Sequence, residues 1–266
     1  MHVIGPPLVR GAGPAITIRK RPAARPTLDE LTAAGTLPQG CAAFLRYAVR
    51  QRCNVLVIGG TSSGKTTLVN ALAGCFEPDE RVLALEDSPE LNIPLPHVMY
   101  LKTRLPDVSL RDLLVNTLRM RPDRIIVGEV RSVEAAALLE AMNVGHEGCL
   151  CTMHANSPRE ALARLETLVL TAGRDMPLKA VRQTISAALD LVVYLARLPD
   201  GSRRVCQVTE ITGMEVDNIT TADLFVLDAR QKTPQLKPTG TMPRFYDLLR
   251  RQGQEPPLDF FQQESP

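Results

Sequence analysis

The chain has 266 residues, of which 44% are hydrophobic and 23% charged, and its net charge is +2. This composition is ordinary for a globular protein with a sizeable core, and the length fits one large domain or a domain with a fragment. The small net charge gives no indication of nucleic-acid binding, and the longest apolar runs fall far short of the roughly 20 residues that a membrane-spanning helix needs.

The first 26 residues do not have the pattern of a complete domain. Ala15–Lys20 alternates as a strand does, but we predict no partner strand upstream of it. Pro22 and Pro26 predict a linker. The basic residues near them have two interpretations, a solvated tail or the source of an arginine that reaches a phosphate in an oligomer. These residues are Arg19, Lys20, Arg21 and Arg25.

A strand, a glycine-rich turn and a helix follow one another between about residue 54 and Leu72, after two predicted helices at Thr27–Thr32 and Pro38–Arg52. The turn fits the phosphate-loop spacing G-x-x-x-x-G-K-[ST]. Glycines let successive backbone N–H groups point at an anion, and the helix that begins at Lys65 adds the positive end of its dipole. Lys65 would reach the β- and γ-phosphates, and Thr66 would bind Mg²⁺. The predicted nucleotide-binding residues are Gly59, Gly60, Thr61, Ser62, Ser63, Gly64, Lys65, Thr66 and Thr67.

Three further predicted strands end in polar residues. Arg81–Leu85 is followed by Glu86, Arg124–Gly128 by Glu129, and Gly148–Met153 by His154. Function in a parallel α/β sheet gathers at the carboxyl ends of the strands, so we predict that these three residues are catalytic.

Each of these three residues also has an interpretation without chemistry. The acidic segment Glu86–Glu90 could be a solvated turn, Glu129 a surface residue after a buried strand, and His154 a structural histidine. An acid after an apolar strand, downstream of a phosphate loop, has the form of a Walker B element. Glu129 is therefore also predicted to lie beside the metal, together with Thr66.

The remaining elements are predicted from periodicity and turn residues. Helices are predicted at Leu110–Met120, Ser132–Asn143, Pro158–Leu170, Pro177–Leu189 and Phe245–Arg251. Strands are predicted at Met99–Arg104, Leu191–Ala196, Arg203–Thr209 and Leu224–Leu227. We expect the strands joined by the turn Pro199-Asp200-Gly201 to form an antiparallel extension at the sheet edge, and Leu258–Phe261 to be a packed terminus.

The strand-end segments occur in the order GGTSSGKTT, LALEDSPEL, RPDRIIVGEVR and GHEGCLCTMHANSPREALARLE. They resemble the Walker A, acidic, Walker B and His boxes of secretion ATPases of the type II/type IV superfamily. The segments LRMRPDRIIVGEVR, HANSPREALARLE, DGSRRV and ITGMEVDNITTADLF are most similar to the CpaF-like branch, the motor of tight-adherence (Flp) pilus assembly. The resemblance covers roughly residues 3–250.

The resemblance implies an α/β fold, with a RecA-like P-loop NTPase core, a mostly parallel sheet and an N-terminal domain ahead of it. By this resemblance, residues 1–26 are a remnant of that domain and a linker, and residues 27–266 form the ATPase domain. The core would span about residues 50–210, and residues 211–266 would be a C-terminal extension. The implied cofactors are ATP and Mg²⁺. The implied assembly is a homo-oligomer, a hexameric ring that works in the cytoplasm on an inner-membrane platform protein, without nucleic acid.

Two departures from the family pattern bear on the site. Ser62 stands where the family usually has glycine, which is tolerated if φ is negative at that residue. Val115 stands where relatives commonly have an arginine that contacts nucleotide across the subunit interface. The substitutes considered for this trans-acting role are Arg104, Arg111, Arg119 and Arg131.

The leading hypothesis is a ring ATPase in which Glu86 and Glu129 handle water and Mg²⁺ and His154 reports the nucleotide state. The sequence does not distinguish which of the two glutamates is the general base. One alternative is a conjugation or effector-export motor of a type IV system, with the same mechanism. A second is a truncated, nucleotide-binding assembly factor with little hydrolysis. A small-molecule kinase is disfavoured because no acceptor-binding site is evident.

Overall fold

The computed structural model describes residues 2–11, 13–18, 25–173, 175–228 and 234–261. The strands in these ranges, numbered in chain order, are β1 His2–Ile4, β2 Ala15–Thr17, β3 Val55–Gly59, β4 Val82–Glu86, β5 Val98–Lys102, β6 Arg124–Val127, β7 Leu150–Met153, β8 Leu191–Arg197, β9 Arg203–Glu215, β10 Asn218–Asp228 and β11 Gln235–Pro238. The α-helices are α1 Leu28–Ala33, α2 Gln39–Arg50, α3 Lys65–Ala73, α4 Leu110–Thr117, α5 Glu134–Asn143, α6 Pro158–Thr171, α7 Leu178–Ala188 and α8 Phe245–Arg251, and a 3₁₀ turn follows at Asp259–Phe261. In the ranges described, no helix has the length and apolar content to cross a membrane.

One large sheet organises the described part of the chain, with nine strands in the order β11-β10-β9-β8-β3-β7-β6-β4-β5. The six strands from β8 to β5 are parallel, whereas β9, β10 and β11 continue from β8 in antiparallel pairs. The phosphate-loop strand β3 is central, between β7 and β8. This arrangement confirms the predicted α/β fold with a mostly parallel sheet and an antiparallel extension at one edge.

Helices cover both faces of the sheet because the central strands are apolar on both sides. Along β3, Val55 and Val57 face a core formed with α1, α2, α3 and α8, and Leu56 and Ile58 face a second core formed with α4, α5, α6 and α7. All residues of β3 are buried. A parallel strand buried on both faces is expected to form such a continuous apolar run, and this is the signal that the sequence carries.

Local sequence sets where several helices begin. The hydroxyl of Thr27 accepts the backbone N–H of Glu30 at 3.2 Å, and the Glu30 carboxylate accepts the N–H of Thr27 at 2.7 Å, which forms a capping box at the start of α1. At the start of α6, the hydroxyl of Ser157 accepts the backbone N–H of Glu160 at 3.1 Å, and Pro158 occupies the first helical position. These contacts satisfy backbone donors that have no partner within the helix, so the predicted helix starts agree closely with the observed ones.

The prediction that Ala15–Lys20 lacks an upstream partner is wrong. β1 and β2 form an antiparallel pair in which Val3 lies opposite Ile16. The segment between them contains glycines and prolines that bend the chain back over a short distance, and a period-2 pattern does not reveal this pairing. Arg19 and Lys20, which belong to the predicted strand, lie outside the described residues, as does most of the basic cluster.

The antiparallel extension is larger than its sequence pattern predicts. The predicted strands Arg203–Thr209 and Leu224–Leu227 are parts of β9 and β10, which meet at a turn where Val216 has φ 55°. β11 was not predicted at all. The central parts of β9 and β10 carry threonine, glycine and acidic residues, so their alternation is weak, and cross-strand pairing stabilises them instead. β11 ends at Pro238 on the outer edge of the sheet, where proline is tolerated.

Candidate functional site

The turn after β3 has the curled backbone of a phosphate loop. Gly59 has φ 154° and Gly64 has φ 105°, and Gly64 is the N-cap of α3. A Cβ at Gly59 would lie 2.3 Å from the Leu195 carbonyl oxygen on the neighbouring strand β8, so only glycine fits there. The loop therefore leads from the carboxyl end of the central strand directly into the N-terminus of α3, where backbone N–H groups and the helix dipole favour an anion.

Ser62 does not have the negative φ at which a serine is expected to be tolerated in place of glycine. Its φ is 60°, in the left-handed region, rather than negative. This conformation costs a residue with a Cβ roughly 1 kcal/mol relative to glycine. The carbonyl oxygen of Ser62 accepts a hydrogen bond from Arg203 Nε at 2.9 Å, so a residue distant in sequence contacts the loop at its strained position.

Lys65 lies against the phosphate loop. Its ammonium group donates to the carbonyl oxygens of Gly59 and Gly60, each at 2.9 Å. Burial lowers the pKa of Lys65, an effect that the negative charges of Glu129 and Glu90 oppose. Lys65 is thus a partly desolvated cation at the loop, within electrostatic reach of two carboxylates from the segments that follow β4 and β6.

The acidic segment after β4 is held by hydrogen bonds and contacts the phosphate-loop helix. Glu86 is buried, and its Oε1 accepts the backbone N–H groups of Glu90 and Leu91, each at 2.7 Å. The Thr66 hydroxyl donates to Glu90 Oε2 at 3.3 Å, and Arg25 Nη2 donates to the Glu90 carbonyl oxygen at 2.7 Å. Glu86 therefore orients the acidic segment, and Glu90 is the carboxylate that touches the predicted metal-binding hydroxyl.

Glu129 is positioned by contacts between β6 and β7. The hydroxyl of Thr152 donates to the Gly128 carbonyl oxygen at 2.6 Å, and the N–H of Val130 donates to the Thr152 carbonyl oxygen at 2.8 Å. A Cβ at Gly128 would lie 3.3 Å from Glu86 Cγ, so the end of β6 packs closely on the side chain of Glu86. The strand order thus brings Glu86 and the segment that carries Glu129 together, although they are far apart in sequence.

The carboxylate of Glu129 lies between two basic side chains. Oε1 is 3.0 Å from His154 Nε2, and Arg131 forms an ion pair with Oε2. Burial alone would raise the pKa of Glu129, but the Arg131 hydrogen bond and the charges of Arg131, His154 and Lys65 outweigh it, and the pKa lies below its ordinary value. Glu129 is therefore a carboxylate at neutral pH.

His154 is the third strand-end residue at this edge of the sheet. Burial and the charge of Lys65 lower its pKa, although Glu129 opposes them, so the imidazole is neutral at neutral pH. Its carbonyl oxygen accepts a hydrogen bond from Arg164 on α6 at 3.1 Å. A neutral imidazole next to a carboxylate can exchange protons or partners as the local charge changes.

The predicted trans-acting arginines divide into two groups. Arg131 belongs to the site through its contact with Glu129. Arg104 is highly exposed and lies 3.8 Å from Asp107, and Arg111 and Arg119 are exposed in and after α4. Within the described residues, no ion pair or hydrogen bond joins these last three to the phosphate loop. Their exposure leaves them available to a neighbouring molecule.

The site residues fit a nucleotide with a magnesium ion. Ser63 Oγ is buried in the loop and has no hydrogen-bond partner among the residues that the structure describes. The hydroxyl of Thr66 and the carboxylate of Glu90 place two oxygens together. The described residues contain no cluster of three or more His, Cys, Asp or Glu side chains arranged to hold a metal. Mg²⁺ in nucleotide sites is typically held by one or two protein oxygens and by the phosphates, so a full protein cage is not required.

Three contacts at the site are not predicted by the sequence. Glu90 was recognised only as part of the acidic segment, although its position four residues after a strand-end glutamate was a usable signal. Arg25 was one of several basic linker residues without a feature that distinguished it. Arg203 belongs to a hairpin that could be placed beside the phosphate loop only once β8 was known to pair with β3.

Comparison with known proteins places the chain among secretion proteins. It matches the family described as Type II/IV secretion system protein over residues 6–236. It is 40% identical over 211 residues to the conjugal transfer protein TrbB of Rhizobium radiobacter, which covers 78% of this chain and 63% of that protein. It is 35% identical over 172 residues to the type IV secretion system protein VirB11 of Bartonella henselae, which covers 62% of this chain and 48% of that protein. The chain therefore spans less than two thirds of the length of these relatives.

Solved structures show the same fold. The VirB11 ATPase from the Brucella suis type IV secretion system, in complex with sulphate, matches with a TM-score of 0.60 and 35% identity over 68% of this chain and 54% of that chain. The pilus retraction motor PilT with bound ADP matches with a TM-score of 0.55 and 21% identity over 95% of this chain and 66% of that chain, a likeness of fold alone. Because the family match covers most of the sequence and carries the phosphate loop and the strand-end residues, the chain belongs to the type II/IV secretion system protein family, whose solved relatives include VirB11-type ATPases.

Proposed function

We propose that this chain is the ATPase domain of a ring-shaped motor that hydrolyses ATP to drive a type II/IV secretion or pilus-assembly machine. The observation that carries the proposal is the meeting of four strand ends at one edge of the sheet. The phosphate loop, the acidic segment, Glu129 and His154 follow β3, β4, β6 and β7, and contacts join them in pairs. Such convergence at the carboxyl edge is where parallel α/β sheets bind nucleotides.

The residues divide the work of phosphoryl transfer, which is mainly positioning and charge neutralisation. Lys65 and the loop N–H groups bind the phosphates, and Thr66 and Glu129 are the proposed metal-site residues, with Glu90 against Thr66. A bound Mg²⁺ would neutralise charge that develops on the phosphate oxygens. We assign the role of orienting the attacking water to Glu129 rather than Glu86, because the Glu129 side chain is 20% exposed whereas Glu86 is 4% exposed and its Oε1 holds two backbone N–H groups of its own segment.

His154 and Arg131 would sense the state of the nucleotide through Glu129. Both contact its carboxylate, so a change of charge or position at Glu129 alters both contacts at once. His154 adjoins α6, since Arg164 binds its carbonyl oxygen, and this provides a route from the nucleotide to a helix on the face of the domain. His154 would therefore affect catalysis indirectly, through the charge and the position of the Glu129 carboxylate.

The proposed working unit is a homo-oligomer, a hexamer by analogy with the resembling motors, in which Arg104, Arg111 or Arg119 reaches the nucleotide of a neighbour. All three arginines are exposed, and among the described residues no hydrogen bond or ion pair ties them to their own phosphate loop, which suits such a role. Residues 27–266 are proposed as the ATPase domain, and the partner of the ring as an inner-membrane platform protein. In the assembled system the protein would be cytoplasmic and peripheral to that membrane.

Two machines are candidates for the motor. The stretch at residues 203–227 and the segment HANSPREALARLE favour tight-adherence pilus assembly by resemblance. The names of the relatives favour a type IV conjugation or secretion system, since TrbB is a conjugal transfer protein and VirB11 a type IV secretion protein. Stimulation of turnover by the platform protein of one system and not of the other would distinguish them.

The test of the motor is an ATPase titration. Phosphate release is measured at rising protein concentration with Mg²⁺, and the Lys65→Ala variant is the control for contaminating activity. We expect the rate per subunit to rise as rings form, and sedimentation to show the oligomer over the same range. Measurable ATP binding with turnover no greater than that of Lys65→Ala at every concentration would support the assembly-factor alternative and reject the motor.

A further inference from the structure

The hairpin that joins β8 to β9 lies beside the phosphate loop. Because β8 pairs in parallel with β3, both strands end at the same edge of the sheet, where Gly59 is opposite Leu195. The turn is held by an N–H of Leu198 that donates to the Ser202 carbonyl oxygen and by an N–H of Ser202 that donates to Asp200 Oδ1, each at 2.8 Å. Arg203, the first residue of β9, is therefore presented to the loop from a rigid turn.

Arg203 contacts the loop at two points. Its Nε donates to the Ser62 carbonyl oxygen at 2.9 Å. Its aliphatic stem passes over Gly64, where a Cβ would lie 3.5 Å from Arg203 Cδ. The two contacts bracket Ser63, whose buried hydroxyl is part of the predicted phosphate site. The side chain of Arg203 thus lies along the loop from Ser62 to Gly64.

The hydrogen bond falls at the strained residue of the loop. Ser62 has φ 60°, a conformation that glycine adopts freely and that is unfavourable for serine. A return of Ser62 to the right-handed region would rotate the adjoining peptide groups and open the concave set of N–H groups that binds an anion. A donor fixed to the Ser62 carbonyl oxygen opposes this rotation, because the rotation breaks a charge-assisted hydrogen bond.

We infer that Arg203 is a positioning residue for nucleotide binding, which holds Ser62 in the left-handed conformation and so preorganises the phosphate loop. The inference rests on the proposed nucleotide-binding function of that loop. It differs from a role for Arg203 as a general positive charge near the phosphates. In the positioning role the benefit of Arg203 depends on residue 62 being a non-glycine residue, whereas a charge effect is independent of it.

The test is a double-mutant cycle between residues 62 and 203, with dissociation constants of ATP measured by calorimetry. Arg203→Ala is expected to weaken binding about tenfold, in line with the loss of one charge-assisted hydrogen bond. In a Ser62→Gly background the same substitution is expected to weaken binding less than about threefold, because glycine needs no support in this conformation. Arg203→Lys keeps the charge but not the Nε geometry and should weaken binding nearly as much as alanine.

Matched controls separate this effect from misfolding and from charge. Arg197 is exposed on the same hairpin and pairs across the strands with Arg203, so Arg197→Ala removes a nearby charge and should leave ATP affinity unchanged. Hydrogen exchange of the backbone amides of residues 60–64 provides a readout that needs no nucleotide. Exchange should become faster in Arg203→Ala and should change little in Arg197→Ala.

Two results would overturn the inference. Equal losses of affinity from Arg203→Ala in the serine and glycine backgrounds would assign Arg203 a charge role. Unchanged amide exchange in residues 60–64 of Arg203→Ala would show that the arginine does not order the loop. A different result would disprove the proposed nucleotide binding by the loop. In that case the wild-type chain and Lys65→Ala would bind ATP equally, whatever the exchange data show.

Discussion

Two carboxyl groups where β8 and β9 meet, the buried Glu210 and the half-buried Asp190, are expected to contribute stability to the folded chain as the pH falls from 8 to 6. Glu210 on β9 is only 4% exposed and accepts the backbone N–H of Arg244 at 2.7 Å. Burial raises its pKa to about 7, against the hydrogen bonds from the backbone of Arg244 and Phe245. Asp190, just before β8, has a pKa raised by burial to about 6, and its charge adds to the shift at Glu210.

The sign follows from the direction of the shift. The unfolded pKa of a glutamate is about 4.3, so the folded state binds more protons than the unfolded state between about pH 4 and 7. The cost of burying the carboxylate is absent below this window, grows as the pH rises through it and is complete above it. For Glu210 alone, the linkage relation with a folded pKa of about 7 gives a gain of about 1 kcal/mol between pH 8 and pH 6.

The assay is urea unfolding of the wild type and of Glu210→Gln at pH 6 and pH 8, with the slopes compared to verify two-state behaviour. Glutamine keeps the size and an acceptor oxygen, so we expect Glu210→Gln to be more stable than the wild type at pH 8 and to lose most of the pH dependence. Glu215→Gln, at the exposed end of the same strand, should keep the wild-type dependence. A wild type and a Glu210→Gln variant with the same pH slope would refute the assignment of the effect to this carboxyl group.

Three further predictions concern the site and its support. Lys65→Ala should abolish ATP binding, because it removes the only ammonium that the described loop presents, and calorimetry that showed unchanged affinity would reject the phosphate-loop assignment. Glu129→Gln should keep ATP affinity within a few fold but lower turnover at least about 100-fold, since the amide lacks the carboxylate charge, and near-normal phosphate release would remove Glu129 from the mechanism. Glu80→Ala should lower the free energy of unfolding by about 3–5 kcal/mol, because it leaves buried Arg124 unpaired. Arg52 also pairs with Glu80 but is more exposed than Arg124, so it provides the control. Arg52→Ala should lower the free energy of unfolding by less than about 1 kcal/mol in the same denaturant assay.

Much of the site could be predicted because local chemistry carries it. The phosphate loop needs glycines and a lysine at set spacing, and Glu86, Glu129 and His154 each follow an apolar strand. The helix that begins at Leu28 was predictable because its cap, Thr27, lies next to it in the sequence. The strands β9 and β10 were underestimated for the opposite reason, because their stability comes from partners and not from an alternating pattern of their own.

By itself, the sequence determined the order of the strand-end motifs and the residues that match the phosphate-loop spacing, since these depend on spacing along the chain, and its resemblance to the secretion ATPases implied the fold class. Only the tertiary structure decided which strand ends are neighbours, and this depends on a sheet order that no local pattern encodes. It decided that Glu90 touches Thr66, that Arg131 and His154 share Glu129, and that Arg203 reaches Ser62 across 141 positions. It also decided the left-handed conformation of Ser62, because backbone strain is maintained by surrounding contacts and is not visible in the identity of the strained residue.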